Sequence, residues 1–127
     1  METSSSFLIF IKKYVIINYK VKEKVINMKL WIDDWRPAPT GFFHCETTNH
    51  AITTIEILRN REHSIELIDI DHDAGNFASD GGDYIKVLEW MEREGINDIP
   101  IRIHSQNPVG VQNMRLIIQR NGWKEVF

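Results

Sequence analysis

The stretch Leu67-Ile68-Asp69-Ile70-Asp71-His72-Asp73-Ala74-Gly75 passes from an aliphatic run into a cluster of carboxylates around one imidazole. With Ile65 ahead of it, the run suits a strand buried on both faces, as in the middle of a parallel sheet. Its polar residues then fall at the carboxyl edge, and in an open α/β sheet the crevice beyond the carboxyl ends of the strands is where ligands bind. Two other stretches end in the same way: Lys29-Leu30-Trp31-Ile32 runs into Asp33-Asp34, and Pro100-Ile101-Arg102-Ile103 runs into His104-Ser105-Gln106-Asn107-Pro108. If the three strands are parallel neighbours, the three polar clusters converge on one end of the sheet.

A chain of 127 residues, 43% hydrophobic and 26% charged, fits one soluble domain with a single core. The lone cysteine, Cys45, can form no internal disulfide and reads as a small core residue, so a reducing, cytoplasmic setting is expected. The net charge of -3 conceals an asymmetry: residues 1–27 hold 5 lysines and 2 glutamates, leaving 10 basic and 16 acidic side chains, a net of -6, beyond them. That balance argues against a broad nucleic-acid surface but leaves room for one phosphate or one strand end gripped through a metal ion. Residues 1–27 read as a leader outside the domain, either disordered or translated from upstream of a start at Met28. Their apolar run is broken by Lys12-Lys13, which fits neither a signal peptide nor a membrane span and leaves a surface-lying amphipathic helix as the alternative.

From Met28 the pattern is regular. Strands are expected over 29–32, 42–45, 65–70, 100–103 and 123–127, with helices over 51–60, 83–93 and 111–120. Thr48 or Asn49 would cap the first helix, with Ile52, Ile55 and Leu58 inward. Tyr84, Val87, Leu88 and Met91 make the buried face of the second helix, which Gly95 ends. Alternating strands and helices imply a parallel sheet covered by helices. The segment 33–41, with two prolines and a glycine, reads as a loop, shorter than the dozen or more residues a parallel crossover usually takes. The Phe42 strand therefore either pairs differently or crosses by a reduced loop.

Two adjacent carboxylates at a strand end repel one another unless a cation neutralises them, so Asp33 and Asp34 are either a solvated acidic turn or part of a site for a divalent cation. Mg²⁺ or Mn²⁺ favours such oxygen ligands together with substrate phosphate. Asp71 and Asp73, at the end of the neighbouring strand, strengthen the second reading, with Asp33, Asp34 and Asp73 as metal ligands and Asp71 as either a ligand or a catalytic group. His72, between two aspartates, and His104, at the end of the fourth strand, are candidates for general acid and base. Arg36 could fork onto a phosphate or pair with Asp33 or Asp34. Ser105 and Asn107 could donate to a phosphate or serve as a turn and helix cap. His44, His50 and His63 read as structural, and Trp35 is the only tryptophan placed in the acidic loop.

These residues together resemble the receiver-like superfamily and, more closely, the cyclic-phosphate-processing receiver domain family. The matching pieces are Leu30-Trp31-Ile32-Asp33-Asp34-Trp35-Arg36-Pro37-Ala38-Pro39, Asp71-His72-Asp73-Ala74-Gly75, Gly82-Asp83-Tyr84-Ile85, and Ile103-His104-Ser105-Gln106-Asn107-Pro108-Val109-Gly110 with Asn113-Met114. Ile70 and Ala74 depart mildly from a motif more often written Leu-Asp-His-Asp-Leu-Gly. The resemblance implies a single flavodoxin-like α/β domain over 28–127, with a mainly parallel sheet of about five strands and a loop in place of the first crossover helix. It also implies a hydrolase, a phosphoesterase acting on cyclic phosphates such as cyclic nucleotides or the 2′,3′-cyclic ends of RNA, with a place in RNA processing. The alternative is a signalling or binding module of the same fold that holds a nucleotide phosphate or a partner protein without turnover. A phosphorelay role is not expected, since Lys124 falls near the start of the last strand and not at its carboxyl end.

Overall fold

The computed structural model describes residues 24–127, so most of the leader lies outside the described residues. Its last residues belong to the fold: strand β1 is Asn27–Ile32, and the Ile26 carbonyl accepts a hydrogen bond from Ser64 N at 3.0 Å. Strands β2 (Phe42–Cys45), β3 (Ser64–Ile70) and β4 (Ile101–Ile103) come next. Helices α1 (Thr48–Asn60), α2 (Ile85–Glu94) and α3 (Pro108–Arg120) separate and succeed them, and a short 3-10 turn, Gly75–Ser79, lies after β3.

The strands form one parallel sheet in the order β2-β1-β3-β4. Among the described residues its strand count is four and not about five: β4 is only 3 residues long and offers little edge, so residues 123–127 add an isolated parallel bridge, Ile101 with Glu125. Residues 33–41 form turns and coil, and β2 pairs parallel with β1 all the same. The crossover succeeds because β2 has just 4 residues, a length of roughly 13 Å that a short extended loop can retrace.

Register brings the strand ends level. Ile32 pairs with Cys45 and with Ile70, and Ile70 pairs with Ile103. The polar residues at the three strand ends therefore emerge along one edge: Asp33-Asp34 after β1, Asp71-His72-Asp73 after β3, and His104-Ser105 after β4.

Leu30, Ile32, Ile68, Ile70 and Ile101 join one fully buried core with residues from α1, α2 and α3. In α1 the inward residues are Thr48, Ala51, Ile55 and Leu58, so Ala51 takes the place expected of Ile52, and Thr47 is the cap, its hydroxyl accepting from His50 N at 2.9 Å. Helix α2 buries Val87, Leu88 and Met91 and closes on Gly95 at φ +70°, a conformation open to glycine at little cost. Helix α3 begins earlier than the apolar pattern suggests. Pro108 stands in its first turn and the Asn107 side chain accepts from Gly110 N at 2.9 Å, the usual chemistry of a helix start. Burial pushes the Cys45 thiol up to about 11, which keeps it a neutral core group.

The other sheet face carries Trp31 and Asp69, paired in register, and both are buried. Trp31 Nε1 donates to the Arg36 carbonyl at 2.9 Å, so the loop after β1 is anchored to its own strand. Among the described residues, no helix is long and apolar enough to cross a membrane.

Tyr84, fully buried ahead of α2, donates its hydroxyl to the Glu46 carbonyl at 2.5 Å and so ties the end of β2 to the loop after β3. Tyr84→Phe keeps the ring and loses the bond. Urea unfolding should show a loss of about 1 kcal/mol; an unchanged midpoint would mean that this tie adds nothing to stability.

Candidate active site at the carboxyl edge of the sheet

Asp33 is the centre of the edge. It is fully buried, and four donors reach its carboxylate: Trp35 N and Arg36 N on Oδ1, both at 2.9 Å, and the Arg36 guanidinium at 2.8 Å and His104 Nε2 at 2.7 Å on Oδ2. Burial alone would raise its pKa. The two amides, then His104 and Arg36, outweigh that and hold the carboxyl at about 2.

His104 is gripped on both sides. Nδ1 lies 2.7 Å from Asp69 Oδ1, Nε2 lies 2.7 Å from Asp33 Oδ2, and the ring stacks on Trp31 at 3.9 Å between centroids and 4° between planes. Only an imidazolium can donate from both nitrogens at once. Burial opposes that charge, but the hydrogen bonds to Asp69 and Asp33 prevail and raise the His104 pKa. Asp69 is held in turn by Arg102 at 2.9 Å, and Arg36 reaches on to Asp71 at 3.0 Å.

Asp34 stands apart, with no basic partner among the described residues. Its pKa is raised, by burial first and also by the charges of Asp33 and Asp71. A Cβ on Gly75 would come within 2.3 Å of Asp34 Oδ2, and Gly75 has φ +56°, so only glycine suits that position. Asp33, Asp34 and Asp71 can each present an oxygen within 4.8 Å of the others. Asp73, expected beside Asp33 and Asp34, belongs to a second group with His72 and Asp83. It lies 2.6 Å from His72 Nδ1 and accepts from Asn107 Nδ2 at 3.2 Å, and the His72 contact, followed by that of Asn107, overcomes burial to lower its pKa.

Between these groups is an open crevice of ≈ 260 Å³, lined by Asp34, Arg36, Asp71, Asp73, Ser105 and Asn107, with the exposed Trp35 at its mouth. Ser105 Oγ accepts from Asn107 N at 3.1 Å and keeps its own proton for another partner. Neither histidine lines the crevice. His72 and His104, the candidate general acid and base, do not share it: His104 spends both nitrogens on buried carboxylates, and the His72 ring packs against Gly110, where a Cβ would come within 2.4 Å of its Cγ.

A family model described as the cyclic-phosphate processing receiver domain matches residues 28–120. The chain belongs to that family. No curated protein and no solved structure matches it. In this receiver domain the acidic pair after β1 and the aspartate after β3 lie together at one sheet edge, and Arg36 sits between Asp33 and Asp71.

The sequence reading of this receiver domain passed over Asp69, Arg102 and the Trp31 stack. Asp69 carried a signal nonetheless, since a carboxylate inside an aliphatic run that is buried on both faces needs a cationic partner from another strand. The partner's identity had no local trace, because Asp69 and His104 lie 35 residues apart in the chain.

Because His104 separates two buried carboxylates, His104→Ala should cost roughly 3–5 kcal/mol in urea unfolding, as expected when a buried charge loses its partner. The directions of the shifts set the pH dependence. His104, raised in the folded state, contributes fully below its ordinary value of 6.5 and loses that contribution as pH climbs through its raised value. Asp33, lowered to about 2, contributes above its ordinary 3.8 and loses that contribution as pH falls toward 2. His104→Ala should flatten the alkaline limb and shrink the acid limb, because without the imidazolium the Asp33 carboxyl is held less far below its ordinary 3.8. A cost below about 1 kcal/mol with an unchanged profile would show that the bridge is weak.

Proposed function

We propose that this domain is a cytoplasmic, metal-dependent phosphoesterase that opens a cyclic phosphodiester, such as a cyclic nucleotide or the 2′,3′-cyclic end of an RNA. In this reading the loop 33–41 stands where a receiver carries its first crossover helix, and it supplies the floor of the site. The supporting observation is Asp34, an unpaired carboxylate beside Asp71 in a crevice at the strand ends. A phosphate entering there would meet Asp34, Asp71 and Asp73 against one guanidinium already shared by two aspartates. The anion is repelled unless a cation comes with it.

The donor set fits Mg²⁺ or Mn²⁺. Asp34 has no basic partner among the described residues, while each Asp71 oxygen has one partner, His72 N at 2.7 Å on Oδ1 and Arg36 at 3.0 Å on Oδ2. Asp33, with two donors on each oxygen, serves chiefly to position Arg36. A bound divalent cation supplies neutralisation of the non-bridging oxygens and a more acidic water. From the chain, Arg36 adds positive charge at the phosphate and Ser105 offers its hydroxyl proton. Water attacks phosphorus as one ring P–O bond breaks. The water proton passes to Asp73, which His72 orients, and the departing alkoxide takes a proton from solvent, to which Asp73 returns its own.

Purified full-length protein should open one of a panel of 2′,3′- and 3′,5′-cyclic nucleotides with Mg²⁺ or Mn²⁺ and lose that activity in EDTA, and Asp34→Asn should lower kcat/KM roughly 10²-fold or more. Turnover unaffected by EDTA would overturn the metal requirement. Binding without turnover of any cyclic phosphate would leave the non-catalytic binding module, a reading favoured by the loss of His104 as a proton donor.

A phosphorelay role is a poor fit. Both Asp71 oxygens are engaged, by His72 N and Arg36, and the Lys124 carbonyl accepts from Ile101 N at the start of β4, away from the carboxylates. Acetyl phosphate should leave the intact mass unchanged; a stable phosphoryl adduct on Asp71 or Asp73 would reverse this.

A further inference from the structure

The crevice has a neighbouring cavity that shares two of its lining residues. Ser105 and Gln106 also line a second groove of ≈ 480 Å³ that runs along α3. Its lining mixes apolar Pro108, Val111 and Leu116 with polar Gln106, Gln112 and Gln119. The residues at 108, 112, 116 and 119 recur at the spacing that places side chains on one helical face. Exposed helix faces ordinarily carry charged side chains. Here the stripe is neutral apart from Arg115, whose guanidinium is turned to Glu125 by contacts of 2.9 Å and 2.5 Å. Leu116 remains 53% exposed within it.

We infer that this groove is a nucleoside subsite, holding the sugar and base of the nucleotide whose phosphate occupies the carboxylate crevice. The inference rests on the phosphoesterase reading for its phosphate half, and on the groove itself for the rest. The crevice, at ≈ 260 Å³, falls below the range of roughly 300–1,000 Å³ typical of small-molecule sites, and has room for little beyond a phosphate and its cation. The groove falls within that range. Its chemistry is complementary to a neutral heteroaromatic ring. Each glutamine amide offers both donor and acceptor to a base edge, and Val111 and Leu116 offer apolar surface to its face. Charge is thereby divided between the lobes, with carboxylates where a cation and phosphate meet and amides where the ligand is uncharged.

The test compares adenosine 2′,3′-cyclic phosphate with methyl riboside 2′,3′-cyclic phosphate, which lacks a base, on the full chain and on a Gln112→Ala/Leu116→Ala variant. Both positions are exposed, and a thermal melt checks that the variant is folded. Backbone amide shifts are followed in parallel during titration with adenosine, which has no phosphate. Expected is a KM roughly ten-fold higher for the baseless compound with the parent protein. The variant should raise KM for the nucleotide by a similar factor and leave kcat and the baseless compound unchanged. Adenosine should shift the amides of α3 around Gln112 and Leu116. Equal KM values for the two compounds, or a variant without effect, would overturn the subsite while the phosphoesterase stands. Shifts in α3 without turnover of either compound or of any 3′,5′-cyclic nucleotide would support the subsite and sink the phosphoesterase. Neither turnover nor shifts would sink both.

Discussion

The carboxylate of Asp33 is the constraint on which the rest of this edge depends. Removed from water, it stays ionised only because two backbone amides, a guanidinium and an imidazolium replace its hydration shell. The amides come from the turn just after it, so the charge also shapes the loop 33–41. The guanidinium and imidazolium arrive from that loop and from the end of β4, so one carboxylate joins three parts of the chain.

From Asp33 the charges alternate in sign in both directions. Arg102, Asp69 and His104 lead to it from one side, and Arg36 and Asp71 continue on the other. Such a chain resists rearrangement, because moving one member strands a buried charge next to it. It also gives His104 a supporting place, fixing Asp33 and through it Arg36, while Asp73 pairs with His72 outside this chain. Asp34 falls outside this neutralised chain. Its negative charge, beside Asp33 and Asp71, is what motivates the proposed cation.

Helix α3 has two roles at the same edge. Its first turn, capped by Asn107, brings Gly110 against the His72 ring and lets Asn107 bond Asp73. Its exposed flank extends the crevice into the amide-lined groove. A cap and a neutral helical stripe thus connect a place for charge to a place for an uncharged group.

The sequence by itself determined where the chain would change character. Aliphatic runs stop at Asp33, Asp71 and His104, and helix α2 was legible in Tyr84, Val87, Leu88 and Met91, because periods of burial and the switch to polar residues are local properties of the chain. The family pieces were legible for the same reason. The tertiary structure alone decided the partners. Spacing could not show that Asp71 and not Asp73 joins Asp33 and Asp34, that Asp69 holds His104, or that His104 reaches Asp33 across 71 residues. Those choices depend on strand register and ring rotation at an edge where several carboxylates emerge within a few ångströms of one another, and neither is written in the order of the residues.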